Sequence, residues 1–184
     1  MSGIILASKS PRRQELLRFI TDDFDVMTSE EPDTLPFGMP VEEAPVYLAA
    51  YKAGAVALNN RDKTVIGADT VVILDGELMG KPADKQDADR MLRALSGRNH
   101  TVITGCCIIR GTHWRTFSQA TQVEFYQLSD MEILEYIASG EPFDKAGAYG
   151  IQEKGALLVK EICGDYFNVV GLPVAALSRV LSAV

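Results

Sequence analysis

The stretch from Ser8 to Arg13 combines residues that can bind phosphate. It holds three cations and two hydroxyls at the point where a strand is expected to turn into a helix opened by Pro11. Backbone N–H groups at a helix start attract anions, and arginine adds paired donors that match phosphate oxygens. Because cations are unfavourable at this end of a helix, a bound polyphosphate explains their presence. A solvated basic helix start is the alternative.

A carboxylate, that of Asp69, interrupts an otherwise apolar strand predicted over residues 64–74. Burying this charge without a partner would be costly. Gly67 and Ala68 leave space beside it, which lets a ligand approach the backbone. Asp69 can therefore bind a divalent cation, or orient and deprotonate a water molecule. The alternative is an aspartate at a strand end that faces solvent.

Three lysines can neutralise phosphate charge, although a solvated surface position is the alternative for each of them: Lys52, Lys81 and Lys145. Lys52 falls on a predicted helix, and Lys81 lies between Gly80 and Pro82 in a rigid loop context. Only convergence with the arginines would give these lysines a role in binding.

The glycine-rich stretch 144–152 is a candidate substrate loop. Gly147 and Gly150 allow a close approach of the backbone, and Tyr149 is expected to pack beside the site. The side-chain amide of Gln152 can read a base edge, because it offers both a donor and an acceptor. A flexible loop is the alternative.

Acidic residues in a proline-rich loop are candidate metal ligands: Glu30, Glu31 and Asp33. Oxygen ligands suit Mg2+ or Mn2+, although acids in such a loop can also be simply solvated. The two histidines, His100 and His113, show no metal-ligand spacing. They are interpreted as ordinary strand residues.

Composition limits the classes of function. The net charge of -7 repels nucleic-acid backbones, so no nucleic-acid partner is expected. Three cysteines without metal-type spacing, and the lack of a basic leader or long apolar stretch, indicate a cytoplasmic protein that does not enter a membrane. Phosphate-loop, dinucleotide-binding and Ser-His-Asp patterns are absent from the sequence, which disfavours P-loop NTPases, dehydrogenases and serine hydrolases.

These candidate residues need a scaffold, and the sequence predicts its strands and helices. Strands are predicted over Gly3–Ala7, Phe24–Thr28, Thr64–Leu74, Glu77–Met79, His100–Arg110, Trp114–Tyr126 and Ala156–Ile162. Helices are predicted over Pro11–Ile20, Val41–Asn59, Asp84–Leu95, Ser129–Ser139 and Leu172–Val184. Strands and helices intermix without strict alternation. This indicates a single α/β domain over residues 1–184 with a mixed sheet.

Several blocks of the sequence, in this order, resemble the Maf family of nucleotide pyrophosphatases: Leu6–Leu17, Ala49–Ala53, Gly67–Val72, Gly80–Pro82, Ser96-Gly97 leading to Thr104-Gly105, Gly140–Gln152 and Gly164–Pro173. The resemblance covers nearly the whole chain. It implies an elongated mixed sheet flanked by helices, similar to inosine triphosphate pyrophosphatases, with room for two lobes around a central cleft. It also implies hydrolysis of a nucleoside triphosphate between its α- and β-phosphates, a divalent metal (Mg2+, Mn2+ or Co2+), a cytoplasmic location and a homodimer.

The resemblance also assigns roles to individual residues. Asp69 matches the proton acceptor. The positions that set base preference are Arg12, Thr70 and Gln152, and these residue types resemble the branch selective for dTTP and UTP. Modified pyrimidine nucleotides are an alternative substrate. The expected phosphate contacts are Ser8, Arg13, Lys52 and Lys81. The expected metal ligands are Glu31, Asp33 and Asp69.

One departure and two alternatives accompany this resemblance. The family usually has an Asp-Glu pair after the second strand, and its glutamate aligns with Asp33 here, with Glu30 and Glu31 nearby. The first alternative is a nucleotide-binding regulator of septum formation without turnover. The second is a pyrophosphatase for 7-methyl-GTP or inosine-type triphosphates.

Overall fold

A mixed β-sheet forms the centre of the fold. The computed structural model describes residues 3–28 and 34–183. Within those residues the strands are β1 (Ile4–Leu6), β2 (Phe24–Val26), β3 (Thr64–Leu74), β4 (Glu77–Met79), β5 (Asn99–Arg110), β6 (His113–Phe125) and β7 (Val159–Cys163). Their order in the sheet is β2-β1-β3-β5-β6-β7, with β4 paired to β3. β1 is parallel to β2 and β3, whereas β4 and β7 pair antiparallel with β3 and β6. The predicted α/β class with a mixed sheet is confirmed.

Helices connect the strands. In the described part of the chain they are α1 (Pro11–Leu17), α2 (Ala44–Ala57), α3 (Lys85–Leu95), α4 (Asp130–Ala138), α5 (Tyr166–Val170) and α6 (Val174–Leu181). Short 3-10 turns cover Glu141–Asp144, Ala146–Ala148 and Glu153–Leu157. Of the helices described, none has the length and apolar character needed to span a bilayer.

Two elements begin three residues later than the sequence predicts, and one helix was not predicted. α2 begins at Ala44 rather than Val41, so the acids predicted for its first turn precede the helix. β7 begins at Val159 rather than Ala156, because the preceding residues form a 3-10 turn. The sequence did not predict α5, where a buried Asn168 is held by tertiary bonds.

The chain divides into two compact units. The first takes in the chain through Thr70, then Thr104–Gln119, and then the chain from Gly171. The second comprises Val71–Ile103 and Ala120–Val170. Three of the four boundaries fall inside β3, β5 and β6, so each of these strands contributes residues to both units, and the fourth follows α5.

In the first unit, α2 packs directly on β3 and β5. Its core joins small residues of α2, such as Ala49 and Ala53, to aliphatic residues of the strands. A Cβ at Gly67 would overlap the backbone of α2 at Ala49, and one at Gly105 would overlap the backbone at its first turn. Glycine is therefore required at both strand positions for α2 to lie this close.

In the second unit, α3 and α4 cover a larger apolar core. Its fully buried members include Leu92, Leu95, Ile133, Phe125 and Val123. α4 begins with a capping box, in which Ser129 and Glu132 exchange hydrogen bonds with each other's backbone N–H. The strength of this local signal explains why the start of α4 was predicted correctly.

Candidate active site

Arg13 is fixed beside the start of α1 by acceptors of the first unit. Its Nε donates to the carbonyl of Gly171 at 2.9 Å, and its Nη1 donates to Ser8 Oγ at 3.2 Å. Its Nη2 donates to Thr70 Oγ1 at 2.9 Å. A guanidinium bonded through all three nitrogens keeps its positive charge in a defined place and orientation.

Two serines shape the turn that presents Arg13. Ser10 caps α1, with its Oγ accepting from the backbone N–H of Arg13 at 3.4 Å, and Pro11 opens the helix as predicted. Ser8 is buried, and its Oγ also accepts from the backbone N–H of Ser10. Arg12 is half-buried on the next helical position. The cationic turn before α1 is thus held in shape by hydrogen bonds among Ser8, Ser10 and Arg13.

Thr70 links Arg13 to Thr104, a residue of one block of the resemblance to which no role was assigned. The Oγ1 atoms of Thr70 and Thr104 lie 2.9 Å apart, within hydrogen-bonding distance. Thr104 is completely buried on β5. Its signal in the sequence is a hydroxyl inside the apolar run 102–109 of β5, comparable to the carboxylate in an apolar strand that identified Asp69.

Asp69 pairs with Lys52. The Nζ of Lys52, on α2, lies 2.6 Å from Asp69 Oδ1, and the two side chains are 21 % and 14 % exposed. Asp69 and Thr70 are the half-buried positions of a β3 strand that is otherwise buried along its length. The ion pair supplies the partner that a carboxylate inside an apolar strand requires.

The Lys52–Asp69 pair and the Arg13 contacts flank one point of the β3 backbone. Asp69 and Thr70 are consecutive, so their Cα atoms are about 3.8 Å apart and their side chains leave the strand on opposite faces. Gly67 shares a face with Asp69 and packs against α2, which is also the helix that carries Lys52. The first unit therefore places an acid–ammonium pair and a fixed guanidinium around two adjacent residues.

The second unit carries the other predicted site residues. Lys81 is exposed, and the neighbouring carbonyl of Gly80 accepts from the N–H of Gly147 at 3.0 Å. Gln152 is half-buried just before a 3-10 turn. Lys145 donates to the carbonyl of Glu141 and to Asp144 at 2.7 Å each, so its charge is neutralised within its own segment.

Tyr149, which was expected to pack beside the site, directly precedes the segment that carries Gln152. It is buried in the core of the second unit, where its hydroxyl lies 2.7 Å from His100 Nε2. Burial lowers the pKa of His100 to about 4 and raises the pKa of Tyr149, so both side chains are neutral near pH 7. His100 lies on a strand as predicted, and the structure adds that its ring is buried and bonded to Tyr149.

The sequence profile of Maf-like proteins matches residues 3–184. The chain belongs to the Maf family. It is 51 % identical to the dTTP/UTP pyrophosphatase of Bacillus velezensis over 178 residues, which cover 97 % of this chain and 94 % of that protein. It is 48 % identical to the dTTP/UTP pyrophosphatase of Bacillus cereus over 181 residues, covering 98 % of this chain and 95 % of the relative.

Solved structures support the same fold for this Maf chain. The Staphylococcus aureus Ham1 protein aligns over 98 % of both chains with a TM-score of 0.54 and 16 % identity. A HAM1 protein from Coxiella burnetii aligns over 100 % of both chains with a TM-score of 0.53 and 16 % identity. At this identity the likeness concerns the fold alone.

Of the metal ligands predicted from the resemblance, only Asp69 lies among the described residues. Glu30, Glu31 and Asp33 lie outside the described residues. Across residues 3–28 and 34–183, no group of three or more His, Cys, Asp or Glu side chains is arranged to hold a metal ion. Of the predicted ligands, Asp69 is the one whose surroundings are described, and its carboxylate oxygens are donors that Mg2+ accepts.

Proposed function

We propose that this Maf chain hydrolyses dTTP and UTP, modified pyrimidine nucleotides included, to the nucleoside monophosphate and pyrophosphate. The observation that carries the proposal is the arrangement at Asp69 and Thr70, where adjacent residues hold an ammonium and a guanidinium. Identity of about half over nearly the full length to two dTTP/UTP pyrophosphatases supports the choice of substrate.

In the proposed reaction, Asp69 accepts a proton from the attacking water. The water oxygen forms a bond to the α-phosphorus, the bond from that phosphorus to the oxygen bridging to the β-phosphate breaks, and pyrophosphate leaves. Arg13 and Lys52 neutralise the charge of the triphosphate, with Ser8 and Lys81 as further phosphate contacts. Positioning and charge neutralisation supply most of the acceleration in phosphoryl-transfer chemistry of this kind.

A divalent metal belongs to this proposal. Asp69, together with Glu31 and Asp33, would hold Mg2+, Mn2+ or Co2+, with Glu30 as a substitute ligand. When bound, such an ion neutralises charge on phosphate oxygens and orients them. The oxygen donors of these carboxylates suit Mg2+ and Mn2+ best among these ions.

Base choice is assigned to Arg12, Thr70 and Gln152. The contacts of Thr70 support this role, because its hydroxyl is held in one position between Arg13 and Thr104. A side chain fixed in this way presents one shape to a ligand. Gln152 offers the donor and the acceptor that a pyrimidine edge requires.

A nucleotide panel with the metal varied tests the proposal. Purified protein is incubated with dTTP, UTP, dCTP, dATP, dGTP and 7-methyl-GTP, with Mg2+, Mn2+, Co2+ or a chelator. We expect metal-dependent release of monophosphate and pyrophosphate that is highest with dTTP and UTP. Release of inorganic phosphate in place of pyrophosphate would overturn the reaction type, and binding without turnover would favour the regulator. Preference for 7-methyl-GTP would overturn the assigned substrate.

A further inference from the structure

We infer that His100 and Tyr149 are positioning residues that hold Gln152 in place and thereby sustain base selectivity. The inference rests on the proposed function, since it takes Gln152 as the residue that contacts the base. Neither His100 nor Tyr149 contacts substrate in this proposal. They act through the segment 150–155, called here the Gln152 loop.

Tyr149 is held in a fixed position by buried contacts. His100 is 3 % exposed and Tyr149 is 5 % exposed, and the 2.7 Å bond between Nε2 and the hydroxyl joins β5 to the segment before the loop. The two rings are perpendicular with centroids 5.3 Å apart. Phe125 packs edge-on against both, at 5.1 Å from His100 and 4.7 Å from Tyr149. Tyr149 is therefore fixed in place and in rotation by two strands.

Close contacts hold both ends of the Gln152 loop. Its first residue, Gly150, directly follows Tyr149 and donates its N–H to the hydroxyl of Tyr136 at 3.1 Å. Its last residue, Gly155, donates its N–H to Glu141 Oε2 at 3.3 Å. The carbonyl of Gly150 lies so close to Gly155 that a Cβ there would overlap it. Both ends of the loop are thus pinned, and Gln152 lies between them.

The backbone is strained just before the Gln152 loop and again within it. Gly147, Ala148 and Glu153 have φ angles of 70°, 60° and 55°, so the segment enters the left-handed region before the loop and again inside it. For residues other than glycine this conformation costs about 1 kcal/mol or more. The segment therefore needs outside contacts to keep its shape, and the buried bond from His100 to Tyr149 is one of them.

His100 keeps a buried polar atom at a cost in stability. The Nδ1 of His100 is buried and has no hydrogen-bond partner among the described residues. An unsatisfied buried polar atom costs on the order of 1–3 kcal/mol, which an apolar ring at position 100 would avoid. Departures from optimal stability of this kind are expected where a residue serves function. The bond to the Tyr149 hydroxyl is what the histidine supplies and phenylalanine cannot.

The test compares Tyr149→Phe with wild type, using binding so that turnover is not required. Dissociation constants are measured for the α,β-methylene analogues of dTTP and dCTP. The Kd of the dCTP analogue divided by the Kd of the dTTP analogue defines the selectivity ratio. We expect Tyr149→Phe to lower the ratio about tenfold, since one lost hydrogen bond is worth on the order of a factor of ten. His100→Phe should do the same. Hydrogen exchange of the Gln152 loop should become faster in both variants.

Two controls separate positioning from general destabilisation. Ile133→Val weakens the same core away from the loop, and it should lower Tm while leaving the ratio unchanged. Gln152→Ala gives the ratio expected when the base contact itself is lost. A ratio that falls in Gln152→Ala but not in Tyr149→Phe, or that falls equally in Ile133→Val, would overturn the inference. Absence of pyrophosphate release from wild type would instead overturn the proposed function, because the binding ratio does not depend on turnover.

Discussion

Asp69 is the residue whose chemistry is most exposed to a direct test. It lies in an apolar strand, it is partnered by Lys52 at 2.6 Å, and it is the proposed proton acceptor. Asparagine has the same shape but neither the negative charge nor the ability to accept a proton in this way. The change therefore separates catalysis from binding.

We expect Asp69→Asn to lower kcat for dTTP by about 100-fold or more, as is typical when a general base is removed. Affinity for the α,β-methylene analogue should change only a few-fold, because the cations proposed to bind phosphate remain. Steady-state kinetics and titration calorimetry measure the two quantities. Asp62→Asn is an exposed control on the loop before β3. Near-normal turnover in Asp69→Asn would remove Asp69 from the role of base.

Thr104 provides a second prediction at this scale. Thr104→Val keeps the shape of the side chain and removes the hydroxyl that lies 2.9 Å from Thr70 Oγ1. We expect a loss of about 1 kcal/mol in stability and a several-fold rise in KM for dTTP, because Thr70 and through it Arg13 lose support. Thr104→Ser keeps the hydroxyl and should restore KM. If serine raised KM as much as valine, the hydrogen bond from position 104 would not be what supports Thr70.

Individual site residues differ in how visible they are in the sequence. Asp69 stands out because a carboxylate inside an apolar run needs a special explanation. Arg13 stands out because a cation at a helix start opposes the helix dipole. The carbonyl of Gly171, which accepts from Arg13 across 158 residues, carries no side-chain signal and was found only in the structure. Backbone groups that position a side chain are hidden from sequence reasoning for this reason.

At the scale of the elements, local signals decide what can be predicted. β3 and its hairpin with β4 were predicted with the observed bounds, because an apolar run ends at a turn made by Asp75 and Gly76. α5 was missed, since its position depends on distant partners. Asn168 donates from Nδ2 to the carbonyl of Val102 and to Thr121 Oγ1, at 3.0 and 2.9 Å. No pattern within five residues reveals such bonds.

The contact of α2 with β5 gives the prediction for this scale. A Cβ in Gly105→Ala would overlap the backbone of Pro45 and Val46, which cannot move as a flexible side chain would. We expect a loss of stability of about 1–3 kcal/mol and a fall in kcat, because α2 also carries Lys52. Chemical denaturation and steady-state kinetics check both. Gly80→Ala, where the added Cβ meets open space, is the control for stability. Equal stability in the two variants would show that α2 can shift at no cost.

At the scale of the whole molecule, the acidic surface and the proposed anionic substrate must be reconciled. The chain carries a net charge of -7. Salt limits the reach of surface charges to about 8 Å at physiological ionic strength, so distant acids contribute little at a binding site. The fixed guanidinium of Arg13 and the ammonium of Lys52 act within that distance of β3. Local arrangement, rather than net charge, therefore decides which ligand binds.

The stability of the whole chain should depend on pH through His100. Its pKa is about 4 in the folded protein, because burial disfavours the charged ring, against 6.5 when solvated. Between these two values the unfolded chain binds the proton and the folded chain does not. The free energy of unfolding should therefore fall as pH decreases from 6.5 to 4, by about 3 kcal/mol from this group, and the contribution is fully present above pH 6.5.

Chemical denaturation at a series of pH values, with wild type and variants in parallel, isolates this contribution from that of the carboxylates. His100→Phe cannot titrate, so its stability should fall less steeply than that of wild type over the same interval. His113→Gln removes the exposed histidine of β6 and should retain the wild-type slope. Parallel curves for wild type and His100→Phe would mean that the ring at position 100 does not stay neutral in the fold. In that case the bond to Tyr149 would have to be made by a charged imidazolium, which has a donor at both nitrogens.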